Sequence, residues 1–389
     1  MEKLGPLFVP ALPTLWPSMA FSHRSEVERD SEALPFGHPK ATFSYFCRNN
    51  IRRAIQLFGL KGAEVLVPAY HHGVEIEAIL DAGARVRFYR VGERWDVDLE
   101  DVEKKIGPAT KALYLIHYAG FPGPARAMKA LAEKHGLYLF EDCALSLLSA
   151  EGDLALGSTG DASFYCLYKT LPVPHGGASI IRHPMFSDPG DYLPPPLTST
   201  LSHAASSLLQ NGQLRAGQVG LIFRKIIRSA GHRWVRRARI DRVSTGTQHF
   251  RASDGKLGID PRVLRIAEAQ NFSDIVQKRR RNYLYLAAHL DETGGTFPLE
   301  LGPGVSPLFF PLRVRDKETI LRRLNQLGVE AINFWRHFHP TCDASEFPEV
   351  ESLRRSLVEL PCHQDVSTEL LEKLMRVTRT VLREDRASR

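Results

Sequence analysis

Between about residue 45 and residue 180, short runs of β-branched and apolar residues alternate with amphipathic stretches. This alternation is typical of βα units, in which each strand enters a parallel sheet and each helix covers it. The pattern therefore predicts an α/β fold with a mostly parallel sheet. We expect strands at 64–67, 85–89, 112–116 and 137–140, and helices near 48–58, 73–82, 98–105 and 124–135.

Length and composition narrow the class of protein. A chain of 389 residues with 43% hydrophobic residues can bury a large core, and its length favours two domains. It contains no apolar run long enough for a membrane span and begins without an apolar leader, so we expect a cytoplasmic protein. The five cysteines are scattered and lack CxxC spacing, which disfavours disulfides and a zinc site. No nucleic-acid-binding motif accompanies the net charge of +7, so we expect no nucleic-acid partner.

The chain is predicted to divide into an N-terminal Pro-rich arm (1–29), a major domain (30–255) and a small α+β domain (256–389) with a helix from Lys317 to Leu327. The major domain includes an insertion at about 183–255, whose first part, 183–215, lacks clear periodicity. Its segment 223–242 carries eight Lys and Arg residues. We interpret this basic segment as a solvated helix face, with docking to an anionic surface or nucleotide as the alternative.

Polar residues at strand ends are the first candidates for a site, because ligands gather beyond the carboxyl ends of parallel strands. Asp142 follows one strand, and Lys169 follows the apolar run 162–168. Enzymes that use pyridoxal 5'-phosphate (PLP) need a lysine amine to bind the cofactor and a carboxylate near its pyridine nitrogen. The pair alone is weak support, since a lysine after an apolar run is more often a surface residue.

Several further segments, in order along the chain, resemble motifs of the DegT/DnrJ/EryC1/StrS family of PLP-dependent sugar aminotransferases, of which this chain would be a divergent member. Around the candidate pair, the segment 141–144 is similar to the family's EDAA motif, the segment 157–162 is similar to GSxGDA, and Lys169 with Gly176-Gly177 is similar to K-x6-GG. Upstream, the segment 67–70 is similar to VPxxT and the segment 116–122 is similar to VHxYGxP. Downstream, the segment 334–340 is similar to the family's aromatic-x-x-x-H segment and the segment 360–363 is similar to LPxH.

The resemblance implies a fold-type I PLP-dependent transferase with a three-layer α/β/α major domain, a small C-terminal α+β domain and a site between them, in a homodimer. Asp142 would bind the pyridine nitrogen and Lys169 would be the Schiff-base lysine. The implied activity moves an amino group from an amino-acid donor, glutamate above all, to a carbonyl of a sugar or similar small-molecule intermediate. Alternatives are another PLP-dependent reaction at Lys169, such as elimination or acyl transfer, and a non-catalytic binding or regulatory protein.

The phosphate-binding helix departs from the family pattern. Where members carry Gly-Thr or Gly-Ser, this chain has Cys47 and then Arg48-Asn49. A helix N-terminus still attracts phosphate, and Arg48 would add a charge-assisted contact. The alternative is that Arg48 pairs with a surface acid. We assign Arg48 and Asn49 to the cofactor site.

Other positions of the family pattern are also altered. His72 stands where members place an aromatic ring against the pyridine ring; the alternative is Tyr70, with His72 as a helix cap. Ser163 lies six residues before Lys169 rather than five, and we assign it to the phosphate. Leu145 replaces a Gln or His that contacts the phenolic oxygen, and no Asn-x-Arg segment is found. The histidines indicate no metal site, and His117 is interpreted as structural.

Overall fold

The computed structural model describes residues 7–21, 33–237, 251–290, 297 and 299–387. Its strands are β1 (Ala41–Ser44), β2 (Glu64–Pro68), β3 (Arg85–Tyr89), β4 (Thr110–Ile116), β5 (Tyr138–Cys143), β6 (Ala150–Glu151), β7 (Leu154–Ala155), β8 (Ala162–Cys166), β9 (Gly177–Ile181), β10 (Phe310–Arg313), β11 (Ile332–Asn333) and β12 (Leu357–Leu360). Its helices are α1 (Cys47–Leu57), α2 (Val74–Asp81), α3 (Leu99–Lys105), α4 (Ala125–Lys134), α5 (Leu167–Thr170), α6 (Leu197–Arg237), α7 (Pro261–Glu268), α8 (Phe272–Leu290), α9 (Lys317–Gln326), α10 (Pro348–Ser356) and α11 (Thr368–Ala387).

A seven-stranded sheet in the order β1-β9-β8-β5-β4-β2-β3 forms the centre of the fold. Strand β9 is antiparallel to both of its neighbours, and the pairs from β8 to β3 are parallel. Every residue of β8 is buried, as is nearly every residue of β4 and β5. Because neighbouring residues point to opposite faces, such strands need helices on both sides. This confirms the predicted α/β class with a mostly parallel sheet.

Short polar residues fix where several helices begin. The Asp98 side chain accepts a hydrogen bond from the backbone N–H of Asp101 at the start of α3, and Asp316 does the same for Thr319 at the start of α9. Each cap satisfies a backbone donor that the first helical turn leaves unpaired. The predicted strands and helices of residues 48–140 are confirmed to within about two residues at their ends, the margin by which assigned helix ends commonly differ, except that β5 continues three residues beyond its predicted end.

A second, three-stranded antiparallel sheet in the order β10-β12-β11 lies in the C-terminal third of the chain. The predicted division into three domains remains a prediction. Helix α7, which it assigns to the small domain, places Val263 and Ala267 in one apolar cluster with Tyr165 of the large sheet.

Residues 8–15 of the N-terminal arm pack along the C-terminal part of the chain. Val9 forms a parallel bridge with Val329, and the Thr14 backbone N–H and hydroxyl both donate to Asp365. The imidazole of His363 lies 2.8 Å from the Pro10 carbonyl oxygen. The arm is thus held by backbone and side-chain hydrogen bonds.

The insertion contains a long helix that the sequence pattern did not reveal. Helix α6 runs from Leu197 to Arg237 with non-helical backbone angles at Gly217. In the basic segment 223–242, the Arg224 side chain donates to Gln213. The other basic side chains of this segment lie outside the described residues, as do residues 238–250. Among the helices described, none combines the length and apolarity that a membrane crossing requires.

Candidate active site

Asp142 lies at the carboxyl end of β5, with 6% of its surface exposed. The Tyr114 hydroxyl, on neighbouring β4, donates to Asp142 Oδ2 over 2.7 Å, and the Ala144 N–H donates to Oδ1 over 2.8 Å. Burial raises the pKa of Asp142 above its ordinary value, and these hydrogen bonds oppose that rise. Burial also raises the pKa of Tyr114 well above its ordinary value, so its phenol remains a donor. The carboxyl group is therefore held in one orientation.

Lys169 lies on the short helix α5, which directly follows β8. Burial lowers the pKa of the Lys169 amine, but the negative charges that Cys166, Asp142, Cys47 and Glu359 can carry together raise it, so that this pKa lies above its ordinary value. Lys169 and Asp142 line the same pocket. The fold therefore brings together the two residues that the sequence singled out for cofactor chemistry.

The helix that carries Lys169 is anchored from the C-terminal half of the chain. The Thr170 carbonyl oxygen, next to Lys169, accepts a hydrogen bond from Arg279 Nη2 over 3.1 Å and another from Gln364 Nε2 over 3.0 Å. Arg279 is fully buried and also donates to Gln364 Oε1 and to the carbonyl oxygens of Pro307 and Leu308. The sequence pattern does not indicate this role, because Arg279 stands within a basic run that is typical of a helix surface.

The N-terminus of α1 forms another wall of the pocket. Its N-cap residue, Phe46, has no side chain that can cap the helix, which leaves the first backbone N–H groups available for an anion. Gly177 packs directly against this helix end, since a Cβ on Gly177 would lie 2.2 Å from Cys47 N. Two thiols, those of Cys47 and Cys166, also line the pocket and are buried.

Arg48 is buried in the pocket wall, with 6% of its surface exposed, and its guanidinium carbon lies 4.4 Å from the centre of the Phe46 ring. Burial lowers the pKa of the Arg48 guanidinium, but such a group stays charged at neutral pH. This location favours the interpretation of Arg48 as a cofactor contact over that of a surface ion pair.

His72 and Trp335 face each other across the pocket, with ring centres 5.7 Å apart. Burial and the nearby charge of Lys169 lower the pKa of His72 to about 3, so that the imidazole is neutral. Tyr70 instead points away, and its hydroxyl donates to the Phe334 carbonyl oxygen over 2.6 Å. Of the two candidates for a ring contact, His72 is the one that lines the pocket.

The structure does not support Asn49 as a cofactor ligand. Its side-chain amide donates to the carbonyl oxygens of Asp254 and Leu257 over 2.9 and 3.2 Å. Successive helical residues are turned by about 100°, so Asn49 points away from the pocket that Cys47, Arg48 and Ile51 line. We withdraw Asn49 from the site.

Ser163 is also misplaced for a phosphate contact. Side chains alternate along a strand, so Ser163 lies on the face of β8 opposite to Cys166, which lines the pocket. Its hydroxyl accepts a hydrogen bond from Arg182 Nη1 over 2.9 Å. Ser163 therefore lies outside the residues that line the candidate pocket, because the one-residue displacement noted in the sequence changes the face.

The pocket also holds one altered motif position and one residue that sequence reasoning did not single out. Leu145, the altered position, lines the pocket and supplies only apolar surface. Glu75, in the first turn of α2, is 4% exposed and lines the same pocket. An acidic residue there resembles an ordinary helix-start residue, so the sequence alone gives it no special weight.

His117 belongs to a buried hydrogen-bond network rather than to the pocket. Its Nε2 lies 3.0 Å from Glu141 Oε2, and its Nδ1 accepts from the Gly123 N–H. Glu141 Oε1 in turn accepts from the backbone N–H groups of Thr159 and Gly160. Over the described ranges, no group of His, Cys, Asp and Glu is arranged to hold a metal ion.

The order of the large sheet, with a single antiparallel strand, and a half-buried lysine beyond its carboxyl edge fit the fold-type I architecture of PLP-dependent transferases. Solved structures share this fold. The aminotransferase TlmJ from Streptoalloteichus hindustanus superposes with a TM-score of 0.68 at 21% identity, over 96% of this chain and 98% of that one. Helicobacter pylori PseC gives a TM-score of 0.69 at 16% identity, over 97% and 100%.

The model of the DegT/DnrJ/EryC1/StrS aminotransferase family matches residues 47–188 of this chain. The GDP-perosamine synthase of Vibrio cholerae is 32% identical over 131 residues, which are 33% of this chain and 36% of that protein. The dTDP-4-dehydro-2,3,6-trideoxy-D-glucose 4-aminotransferase of Saccharopolyspora spinosa is 38% identical over 119 residues, 30% and 31% of the two chains. The matched stretch thus spans about a third of the length of these relatives.

Proposed function

We propose that this chain is a PLP-dependent aminotransferase that moves an amino group from an amino-acid donor, expected to be glutamate, to the carbonyl of a sugar or similar intermediate. The observation that carries the proposal is the meeting of Asp142 and Lys169 in one buried pocket beyond the carboxyl edge of the sheet. Perturbed titratable groups that converge in a cleft are typical of catalytic sites.

The residues present fit PLP at each of its three polar ends. Lys169 offers an amine for the carbonyl group, and Asp142 offers a carboxylate for the pyridine nitrogen. The uncapped N-terminus of α1, with Arg48 beside it, offers donors and positive charge for the phosphate. His72 and Leu145 supply flat or apolar surface for the ring.

Each residue of this chain has a distinct task in the proposed reaction. Bound PLP would draw electrons from the amine-bearing carbon of the substrate through its pyridine ring. Asp142 would hold the proton on the ring nitrogen, and Tyr114 keeps Asp142 oriented for this task. The Lys169 amine would take a proton from the substrate carbon and return it elsewhere during amino transfer. Arg48 would hold the phosphate without taking part in the chemistry.

We propose a sugar as the acceptor because the named relatives refer to sugar substrates. GDP-perosamine synthase and the dTDP-sugar 4-aminotransferase are similar to this chain over 131 and 119 residues. The family model matches residues 47–188, a range that contains Asp142 and Lys169. The formal charge of +7 is compatible with an anionic, nucleotide-linked acceptor. We also propose a homodimer, the assembly in which fold-type I enzymes generally build their sites.

The proposal is tested by loading the purified protein with PLP and following its visible absorbance while glutamate is added. Loss of the band of the lysine-bound cofactor, with release of 2-oxoglutarate, is the expected result. Borohydride reduction followed by peptide mapping should place PLP on Lys169, and Lys169→Ala should fold without covalent PLP. Lys104→Ala, at a lysine whose side chain is 75% exposed, is the matched control.

Other outcomes point to the rival functions. Turnover of an amino acid without loss of the visible band would favour elimination or acyl transfer at Lys169. A protein that retains no PLP under any condition would contradict the proposed function and favour a binding role. The acceptor is then sought by comparing nucleotide-linked keto-sugars with uncharged ketones, and a clear preference for uncharged ketones would contradict the sugar assignment.

A further inference from the structure

Glu75 is a second carboxyl group in the candidate cofactor pocket. Its Oε1 accepts a hydrogen bond from the His72 backbone N–H over 2.8 Å, as a cap for the start of α2. None of the described side chains donates a hydrogen bond to its Oε2. Since Glu75 lines the pocket, this second oxygen is available to a group bound there.

Glu75 and Asp142 are electrostatic neighbours. Burial and the negative charge of Asp142 together raise the pKa of Glu75 to about 7. The Tyr114 hydroxyl, which donates to Asp142, also lies within the electrostatic influence of Glu75. Two carboxyl groups buried in one pocket resist double ionisation unless a positive charge is placed beside them. The other titratable groups that influence Glu75, or that Glu75 influences, are Lys169, Tyr118 and Arg354.

A protonated pyridine ring is a positive charge of the required kind. We propose that Glu75 and Asp142 together form an acidic wall for the pyridine nitrogen of PLP, so that Glu75 is a second determinant of how tightly the protonated ring is held. This inference rests on the proposed function, because it requires PLP in the pocket. Asp142 would contact the nitrogen, and Glu75 would act by its charge as a positioning residue.

The direction of the pH effect follows from linkage. With the Lys169 nitrogen protonated before and after binding, a positive ring beside Glu75 lowers the pKa of its carboxyl group below the value of about 7 in the free protein. Binding then releases a proton at any pH between the two pKa values, so affinity for PLP rises with pH through this window and levels off above it. Each unit by which the pKa falls strengthens binding by about tenfold above pH 7.

The substitution Glu75→Gln separates charge from structure, because the amide oxygen can still accept from the His72 N–H. We would measure the dissociation constant of PLP by quenching of tryptophan fluorescence, to which Trp335 in the pocket contributes, between about pH 5.5 and 8.5, a range that spans the Glu75 pKa. E75Q should bind PLP about tenfold more weakly than the wild type above pH 7. The two proteins should converge at the acidic end, where Glu75 is neutral.

Two comparisons make the test specific. Glu77→Gln alters a neighbouring acid on the same helix that pairs with His339, and should leave the pH profile unchanged. A PLP analogue with carbon in place of the ring nitrogen should abolish the difference between E75Q and the wild type. Equal affinities of E75Q and wild type for PLP at every pH, or an equal E75Q effect with the analogue, would overturn the inference. Failure of the wild type to bind PLP would instead overturn the proposed function.

Discussion

Burial shifts the titratable residues of the pocket in opposite directions, according to the sign of the charge that each can carry. It raises the pKa of the Asp142 carboxyl group and that of the Glu75 carboxyl group, the latter to about 7, and lowers the pKa of His72 to about 3. At neutral pH, the imidazole of His72 is therefore an uncharged ring. Its contact with a pyridine ring would be one of shape and stacking, not of charge.

Asp142→Asn tests the residue that would hold the pyridine nitrogen. The amide keeps the size of the side chain and can still accept from Tyr114, but it cannot stabilise a protonated ring. We expect kcat to fall by about 100-fold or more, the scale of losing one preorganised electrostatic contact in a buried site. The melting temperature should change little. Amino-transfer rates near those of the wild type would contradict this role.

Arg48→Ala tests the proposed phosphate contact. Loss of one charge-assisted hydrogen bond costs about 1.5–3 kcal/mol, which corresponds to about 10- to 150-fold weaker PLP binding. Because the phosphate contact is the same before and during the reaction, kcat at saturating PLP should change much less. Titration of each variant with PLP measures the affinity, and the rate of amino transfer at saturating PLP measures kcat. The PLP affinity of Arg48→Lys should lie between those of the wild type and Arg48→Ala. An unchanged PLP affinity would exclude the contact.

At the scale of elements, the close approach of β9 to the start of α1 shapes the end of the pocket at which we propose that the phosphate binds. A Cβ at Gly177 would lie 2.2 Å from Cys47 N and 2.4 Å from the Phe46 carbonyl carbon. Both are backbone atoms, so they can yield only if the helix start moves.

Gly177→Ala should therefore weaken PLP retention and lower the free energy of unfolding by about 1–3 kcal/mol, the usual cost of overpacking. Gly107→Ala is the matched control, because nothing lies within 4 Å of a Cβ at Gly107. Denaturant unfolding and gel filtration of the loaded protein measure the two effects. A Gly177 variant as stable and as well loaded as the Gly107 variant would contradict the argument.

The elements of residues 48–140 could be predicted because their apolar runs match the strand and helix periods. Helix α6 could not, because several of its leucines face solvent: Leu197 is 48% exposed and Leu201 is 55% exposed. An apolar residue on a solvated face removes the contrast on which helix periodicity depends.

The site was predictable to different degrees. Asp142 and Lys169 follow strands, and the strand-end rule places such residues together. Asn49 and Ser163 were misassigned because motif similarity fixes a position along the chain but not the face on which its side chain lies. For Ser163 a shift of one residue reverses that face. Glu75 was missed because acids are common in the first turn of helices.

At the scale of the whole molecule, Arg279 connects the two halves of the chain. From α8 it reaches the carbonyl oxygen beside Lys169, the segment before β10 and the loop that carries Gln364. The position of Lys169 relative to the small sheet therefore depends on one buried guanidinium. Burial lowers its pKa to about 10, so it remains charged at neutral pH.

Arg279→Met should remove the guanidinium donor from each of these acceptors and lower the free energy of unfolding by about 3 kcal/mol or more. Since the carbonyl group beside Lys169 would keep only its hydrogen bond from Gln364, kcat should fall even below the melting temperature. Arg281→Met, at an exposed arginine that contacts neighbouring Asn282, is the control. Its free energy of unfolding should lie within about 0.5 kcal/mol of that of the wild type. Equal stability of the two variants would show that the buried network contributes little.

All five cysteines are buried, and two of them, Cys47 and Cys166, line the cofactor pocket. Burial raises the pKa of both thiols, so each is mostly protonated at neutral pH and reacts slowly, through its thiolate form. An alkylating reagent small enough to enter the pocket would meet these two sulfur atoms, and a bound cofactor would shield them. The native chain thus carries its own occupancy reporter, readable by mass spectrometry without any introduced label.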